Sequence, residues 1–156
     1  MTLTIPEILD LINQAKTKKE KLELFNKHRS DPLIVLMRLN FDPNLWFDLP
    51  EGEPPFKKEE EVPVGHSPSS LFAEFRRFYI WLTPQPNLSK TKRESMFIEM
   101  LESIHVTEAE VVLLCKDRKL QTKYKTITDD LVREAFPNSF SPKEKSVKKE
   151  AKVPLA

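Results

Sequence analysis

Apolar positions along this chain fall mostly at helical spacing, and polar start signals divide them into short runs. Thr4, with Pro6 in the first turn and Glu7 three residues on, forms a capping box. The hydroxyl accepts an otherwise unpaired amide, and the carboxylate reaches back to the cap. Ile5, Ile8, Leu9, Leu11 and Ile12 then make one broad apolar face. Thr17 with Glu20 repeats the box ahead of Leu22, Leu24 and Phe25. Asp31 before Pro32 predicts a third helix through Leu33, Leu36 and Met37 to about Asn40.

Further on, Ser67 with Pro68 predicts the start of a longer helix. Its stripe is Leu71, Phe72, Phe75, Phe78, Tyr79 and Leu82, with Phe72, Phe75 and Tyr79 as the expected spine of the core. The segment "TPQPN" ends it. Thr91 with Glu94 predicts a helix carrying Phe97, Met100, Leu101 and Ile104, and Thr107 with Glu110 one carrying Val111 to Leu114. That last run is β-branched in part, which opposes the helix assignment locally. Thr128 predicts a final helix from Asp129 to Phe136, stopped by Pro137. No repeat of fixed period accompanies these boxes. They share helix physics, not ancestry.

Residues 41–66 break the pattern. "FDPNLWFDLPEGEPPF" sets Phe41, Leu45, Trp46, Phe47, Leu49 and Phe56 among Pro43, Pro50, Pro54 and Pro55, which forbid a regular helix. So much apolar bulk in irregular chain needs a surface to cover. Either the segment is a lid on the helical core, or it is a strap that anchors a partner through its aromatic rings. The two are compatible if a partner binds the lid's edge. The remainder, "KKEEEVPVGH", is charged and expected to be loose. The expected organisation is a single all-α domain over residues 1–137, with about six or seven short helices and the strap at 41–66. A basic tail expected to be disordered follows at 138–156.

Composition narrows the function. The chain has 156 residues and a formal net charge of +1, so no global field draws in nucleic acid or an anionic membrane. Only two glycines occur, Gly52 and Gly65, too few and too far apart for a phosphate-cradling loop or a dinucleotide fingerprint. The single cysteine, Cys115, excludes an intramolecular disulfide and fits a reducing compartment. No apolar run reaches the ~18 residues of a membrane span. The N-terminus has no basic region before its apolar stretch, so a cytoplasmic location is expected.

Candidate chemistry is sparse. His28, His66 and His105 lie in separate segments with no second ligand at metal spacing, so no metal or cofactor site is expected. Cys115 sits in "VVLLCKD" and reads as a core thiol. The pairs Glu99/Glu102, Glu108/Glu110 and Asp129/Asp130 sit at helix starts or on polar faces, not in an evident cleft, and no enzyme is expected. Two basic clusters remain. Lys90, Lys92 and Arg93 open one helix, and Lys116, Arg118, Lys119, Lys123 and Lys125 crowd "KDRKLQTKYK", where Tyr124 offers a ring for base stacking. If the clusters meet they could neutralise phosphates; otherwise they are solvated faces near helix ends.

The order of "TIPEILDLINQAKTKKEKLELF", "FDPN", "LPEGEPPF", "KRESMFIEMLESIH", "EAEVVLLCKDRKL" and "LVREAFP" resembles a family of small uncharacterised proteins encoded by T4-like tailed phages, including those of cyanobacteria. The resemblance covers about residues 2–137. It implies phage origin and expression in the bacterial cytoplasm, and carries no activity or catalytic residue. The expectation is a non-catalytic accessory protein that binds a phage or host protein of the replication or transcription machinery. Trp46, Phe47, Arg118 and Lys119 are the candidate contacts. Nucleic-acid binding through the two basic clusters is the alternative, and a place in the virion a lesser one.

Overall fold

A computed structural model describes residues 3–57, 63, 67–82 and 87–140. His66, the "TPQP" of 83–86, most of the charged half of the strap and the tail from 141 onward lie outside these residues. The described chain is all α-helix, 3₁₀ turn and irregular connection, with no strand.

Helix α1 (Ile5–Gln14) starts on the Thr4/Glu7 box and α2 (Lys18–Lys27) on the Thr17/Glu20 box, both with the reciprocal bonds in place. The short loop between them lets α1 and α2 pack as neighbours. Lys21 completes the turn in a way the sequence does not advertise. Its buried ammonium donates to the carbonyls of Ile12 (2.9 Å), Asn13 (3.3 Å) and Ala15 (2.7 Å) at the end of α1. Helix α3 (Asp31–Phe41) starts at Asp31, where the sequence signal lies. Ser30 is its cap, accepting from the Leu33 amide.

The stretch expected to be one long helix from Ser67 is broken. A short α4 (Leu71–Glu74), a 3₁₀ turn (Phe75–Arg77) and a short α5 (Tyr79–Leu82) replace it, and Pro68 lies before the first turn. The change of winding rotates the buried face. Tyr79, assigned to the spine, is 57% exposed, and Phe72 and Phe75 are only partly covered. Leu71, Phe78, Ile80 and Trp81 are buried in their place. Trp81 escapes the helical-stripe reading because that reading holds the period constant across the turn.

Helix α6 (Lys90–Ser103) is capped by Ser89, and α7 (Val106–Lys116) by the His105 ring. Thr91 and Thr107 therefore sit inside their helices, one or two residues past the real start. Helix α8 (Asp129–Ala135) opens on Thr128 as its sequence implies. The centre of the molecule is α7, which packs against α1, α3 and α6. Ala109, Val111, Val112, Leu113 and Cys115 are all buried on it, so it is apolar nearly all round. Burial on several sides overrides the β-preference of its valines. On the far side α8 packs on α2, with the Phe25 and Phe136 rings edge to face at 5.5 Å.

Beyond α8 the chain stays on the body for the last described residues. Ser139 donates to the Phe136 carbonyl at 3.1 Å, and the Arg133 guanidinium lies 5.5 Å from the centre of the Phe140 ring.

Candidate functional site

The strap is built in from both ends. It leaves α3 at Asp42, a fully buried residue whose carboxylate accepts from the Asn44 amide at 2.9 Å to turn the chain. Phe47 then enters the core. It is 4% exposed and meets the rings of Phe78, Trp81 and Phe97 edge to face at 5.4, 5.6 and 6.0 Å. The next residue, Asp48, donates its amide to the Trp81 carbonyl at 2.8 Å. Trp81 in turn donates its indole N–H to the Arg93 carbonyl at 3.0 Å. The lid reading of this half thus holds for Phe47. Leu45 and Leu49 pack on the core beside it, and Trp46 stays half-buried.

The basic residues expected to meet phosphates hold this strap. Arg93 is buried; its Nε donates to the Ile80 carbonyl at 3.2 Å and its terminal nitrogen to Asp48 at 2.9 Å. The buried Lys116 ammonium donates to the Pro50 carbonyl (2.7 Å), the Gly52 carbonyl (3.1 Å) and Asp117 (2.7 Å). Asp117 also accepts from the Gly52 amide at 3.0 Å. Arg118 donates to the carbonyls of Leu45 and Asn40. Burial pulls the Arg118 pKa down, and the Asp42 carboxylate pulls it back up. Proline-rich chain has few partners for its own carbonyls, and long cations supply them.

Arg118 takes a left-handed φ of 60° to do this. It stands where α7 unwinds: its amide donates to Cys115 (3.2 Å), and the next amide, of Lys119, to Leu114 (2.8 Å). This is the paired closing motif that glycine usually provides. An arginine there carries a steric cost and gains two anchors, the Leu45 carbonyl on the strap and the Asn40 carbonyl in α3.

The rest of the predicted basic surface divides. Tyr124 is 1% exposed and offers no face to a base, and burial raises its pKa. Lys123 pairs with Glu110 and Lys119 with Glu51, both at exposed positions. Lys90, Lys92 and Lys125 are exposed. Each cluster sends a buried cation to the strap, Arg93 to Asp48 and Lys116 to Pro50 and Gly52, and spends that charge inside the fold. Of the partner-binding candidates, Phe47 and Arg118 are structural, while Trp46 and Lys119 keep accessible surface.

Other titratable groups serve the interior. Cys115 is fully buried and burial drives its pKa upward, which keeps it a thiol. Glu108, assigned to a polar face, is 1% exposed and accepts from the Leu71 amide at 3.3 Å. Burial raises its pKa, against the pull of the Leu71 and His105 amides and the His105 charge. It fastens α7 to the start of α4, and the isolated sequence gives no sign of it. Asn40 does similar work, accepting from the Leu120 amide at 2.9 Å and donating to Gln121 at 2.9 Å.

Among the described residues, three hollows border the strap around Leu49. One of 350 Å³ lies between Leu49–Pro55 and α6. One of 330 Å³ lies over Asp48, Lys90 and Arg93, and one of 240 Å³ between Trp46 and Asp117–Arg118. A wider groove of 560 Å³, lined by Arg29, Arg38, Phe75 and Phe140, shares no residue with them.

A family of unknown function, DUF6433, matches residues 8–122. The chain belongs to this family. The DUF6433 match takes in the whole strap and every cation that anchors it, from inside α1 to the 3₁₀ turn Leu120–Thr122, and leaves α8 outside. No curated protein and no solved structure matches the chain. Among the described residues, no helix is long and apolar enough to cross a membrane.

Proposed function

We propose that this DUF6433 chain is a non-catalytic accessory protein of a phage, which acts by binding a phage or host protein of the replication or transcription machinery. One observation carries the binding role: the hollows gather along a strap whose backbone is held by Lys116, Asp117 and Arg118 and whose Asp48 carboxylate is held by Arg93. A surface ordered before contact loses little conformational entropy when a partner arrives. Trp46 and Lys119 stand at its accessible edge. Phage origin rests on the sequence resemblance alone. Nucleic-acid binding has less support, since Arg93, Lys116, Arg118 and Tyr124 are engaged within the fold.

The test is a tagged full-length chain used to capture proteins from infected cells, beside a Trp46→Ala variant. Loss of a specific partner at unchanged melting temperature supports the strap as the interface. Unchanged capture with a large fall in melting temperature places Trp46 in the core and the interface elsewhere. A gel shift on single- and double-stranded DNA and RNA at low salt, where phosphate contacts are strongest, decides the nucleic-acid alternative.

A further inference from the structure

The groove between the strap and α6 has a chemistry that selects its occupant. Its floor is apolar: Phe97 is buried, and Leu49, Pro54 and Ile98 are half-buried. Its rim is acidic. Glu51 and Glu53 project from the strap as exposed residues, and Glu94 faces them from α6. Among the described residues, Lys116 is the only cation lining it, and that ammonium is consumed by Pro50, Gly52 and Asp117. Glu51 reaches Lys119 at 3.6 Å, with both side chains more than half exposed, a pairing that an incoming cation replaces at little cost.

From this we infer that the strap groove binds an extended peptide segment of a partner protein, in which one or two apolar side chains are flanked by lysine or arginine. This rests on the protein-binding role proposed above and specifies its partner. A hollow of 350 Å³ accommodates a few side chains rather than a folded face. Pro50, Pro54 and Pro55 in its wall have no amide to donate, so the strap cannot serve as an edge for strand addition there. Recognition falls to side chains: apolar groups enter the floor, and flanking cations meet the glutamates. Phosphates are repelled by the same rim.

The experiment is selection of random dodecapeptides displayed on particles against the immobilised full-length chain. Calorimetry of the enriched peptides then follows, with wild type and with a Glu51→Lys/Glu53→Lys variant. Both glutamates are exposed, and circular dichroism and thermal melts of the variant beside wild type check that its fold is kept. The expected peptides carry Lys or Arg beside apolar residues, bind more weakly as salt rises, and lose about tenfold or more in affinity on charge reversal. Ile98→Ser weakens them without a change in salt dependence. Acidic or charge-indifferent peptides, no enrichment, or equal binding to the reversed variant overturns the inference. So does a carbodiimide cross-link within one chain from Lys143–Lys152 to Glu51 or Glu53, which would make the chain's own basic tail the occupant. If Trp46→Ala abolishes capture of a cellular partner while Glu51→Lys/Glu53→Lys does not, the protein-binding role stands and the groove assignment falls. If neither variant affects capture, the interface lies elsewhere on the chain and the groove assignment falls.

Discussion

Helix α7 and the strap are both apolar and both packed on the same core, yet they are held in opposite ways. Helix α7 satisfies its backbone within itself, so its apolar residues need only neighbours on every side, which α1, α3 and α6 provide. The strap has no such internal ladder. Its ring at Phe47 is buried like a core residue, but the carbonyls of Leu45, Pro50 and Gly52 depend on side chains from 64 to 73 residues away. A protein can thus carry a rigid irregular surface if buried cations replace the missing backbone donors. The corollary is that the strap can loosen without α7 unfolding, whereas loss of α7 releases the strap.

The largest expected effect tests whether Phe47 belongs with α7 in that comparison. Phe47→Ala empties a site enclosed by Phe78, Trp81 and Phe97 and is expected to cost about 3–5 kcal/mol. Urea unfolding measures it, and a loss below about 1 kcal/mol shows the ring to be peripheral. Trp46→Ala, half-buried next door, is expected to cost much less.

Lys116→Met keeps the aliphatic stem and removes the ammonium. It orphans two strap carbonyls and leaves Asp117 without its cation, with an expected loss of about 2–3 kcal/mol. Amide exchange locates the damage. The Asp48 and Gly52 amides should exchange faster while the α7 amides stay protected. Equal acceleration in both regions shows that strap and α7 open as one unit.

Position 118 separates strain from anchoring. Glycine accepts φ of 60° freely and alanine does not, and both remove the guanidinium. Arg118→Gly is therefore expected to be more stable than Arg118→Ala by about 1 kcal/mol. Equal stabilities exclude backbone strain as a cost of the arginine.

The smallest effect is one of pH. Burial raises the Glu108 pKa, so its ionisation opposes folding. The stabilising contribution of the protonated form is complete below the unfolded-state value near ~4.3 and is lost as pH rises through the higher folded value. Glu108→Gln keeps an acceptor for the Leu71 amide and removes the titration. Wild type should gain stability relative to this variant as pH falls from 7 toward 4.5, read by paired thermal melts. A constant difference between the two contradicts the raised pKa.

Much of the fold was legible in the sequence because the relevant interactions are local. Thr4, Thr17 and Thr128 cap the helices they were expected to cap, since a hydroxyl and an amide three residues apart need nothing else. The all-helical class and the burial of Cys115 follow from spacing in the same way. Ser89 and His105 cap the helices that the sequence signals open two residues later, at Thr91 and Thr107.

The site was less legible, for a physical reason. Sequence shows that Arg93, Lys116 and Arg118 are cations and that the strap is apolar, but a charge on a short motif looks alike whether it faces solvent or a buried carbonyl. Asp48 and Arg93 are 45 residues apart, Pro50 and Lys116 66, and Leu45 and Arg118 73. Composition, caps and apolar period determined that this chain makes short helices around one core. Only the tertiary structure decided which cations turn inward, which ring of the strap enters that core, and which face of it remains open to a partner. Those choices follow from contacts between segments distant along the chain, and no local pattern encodes them.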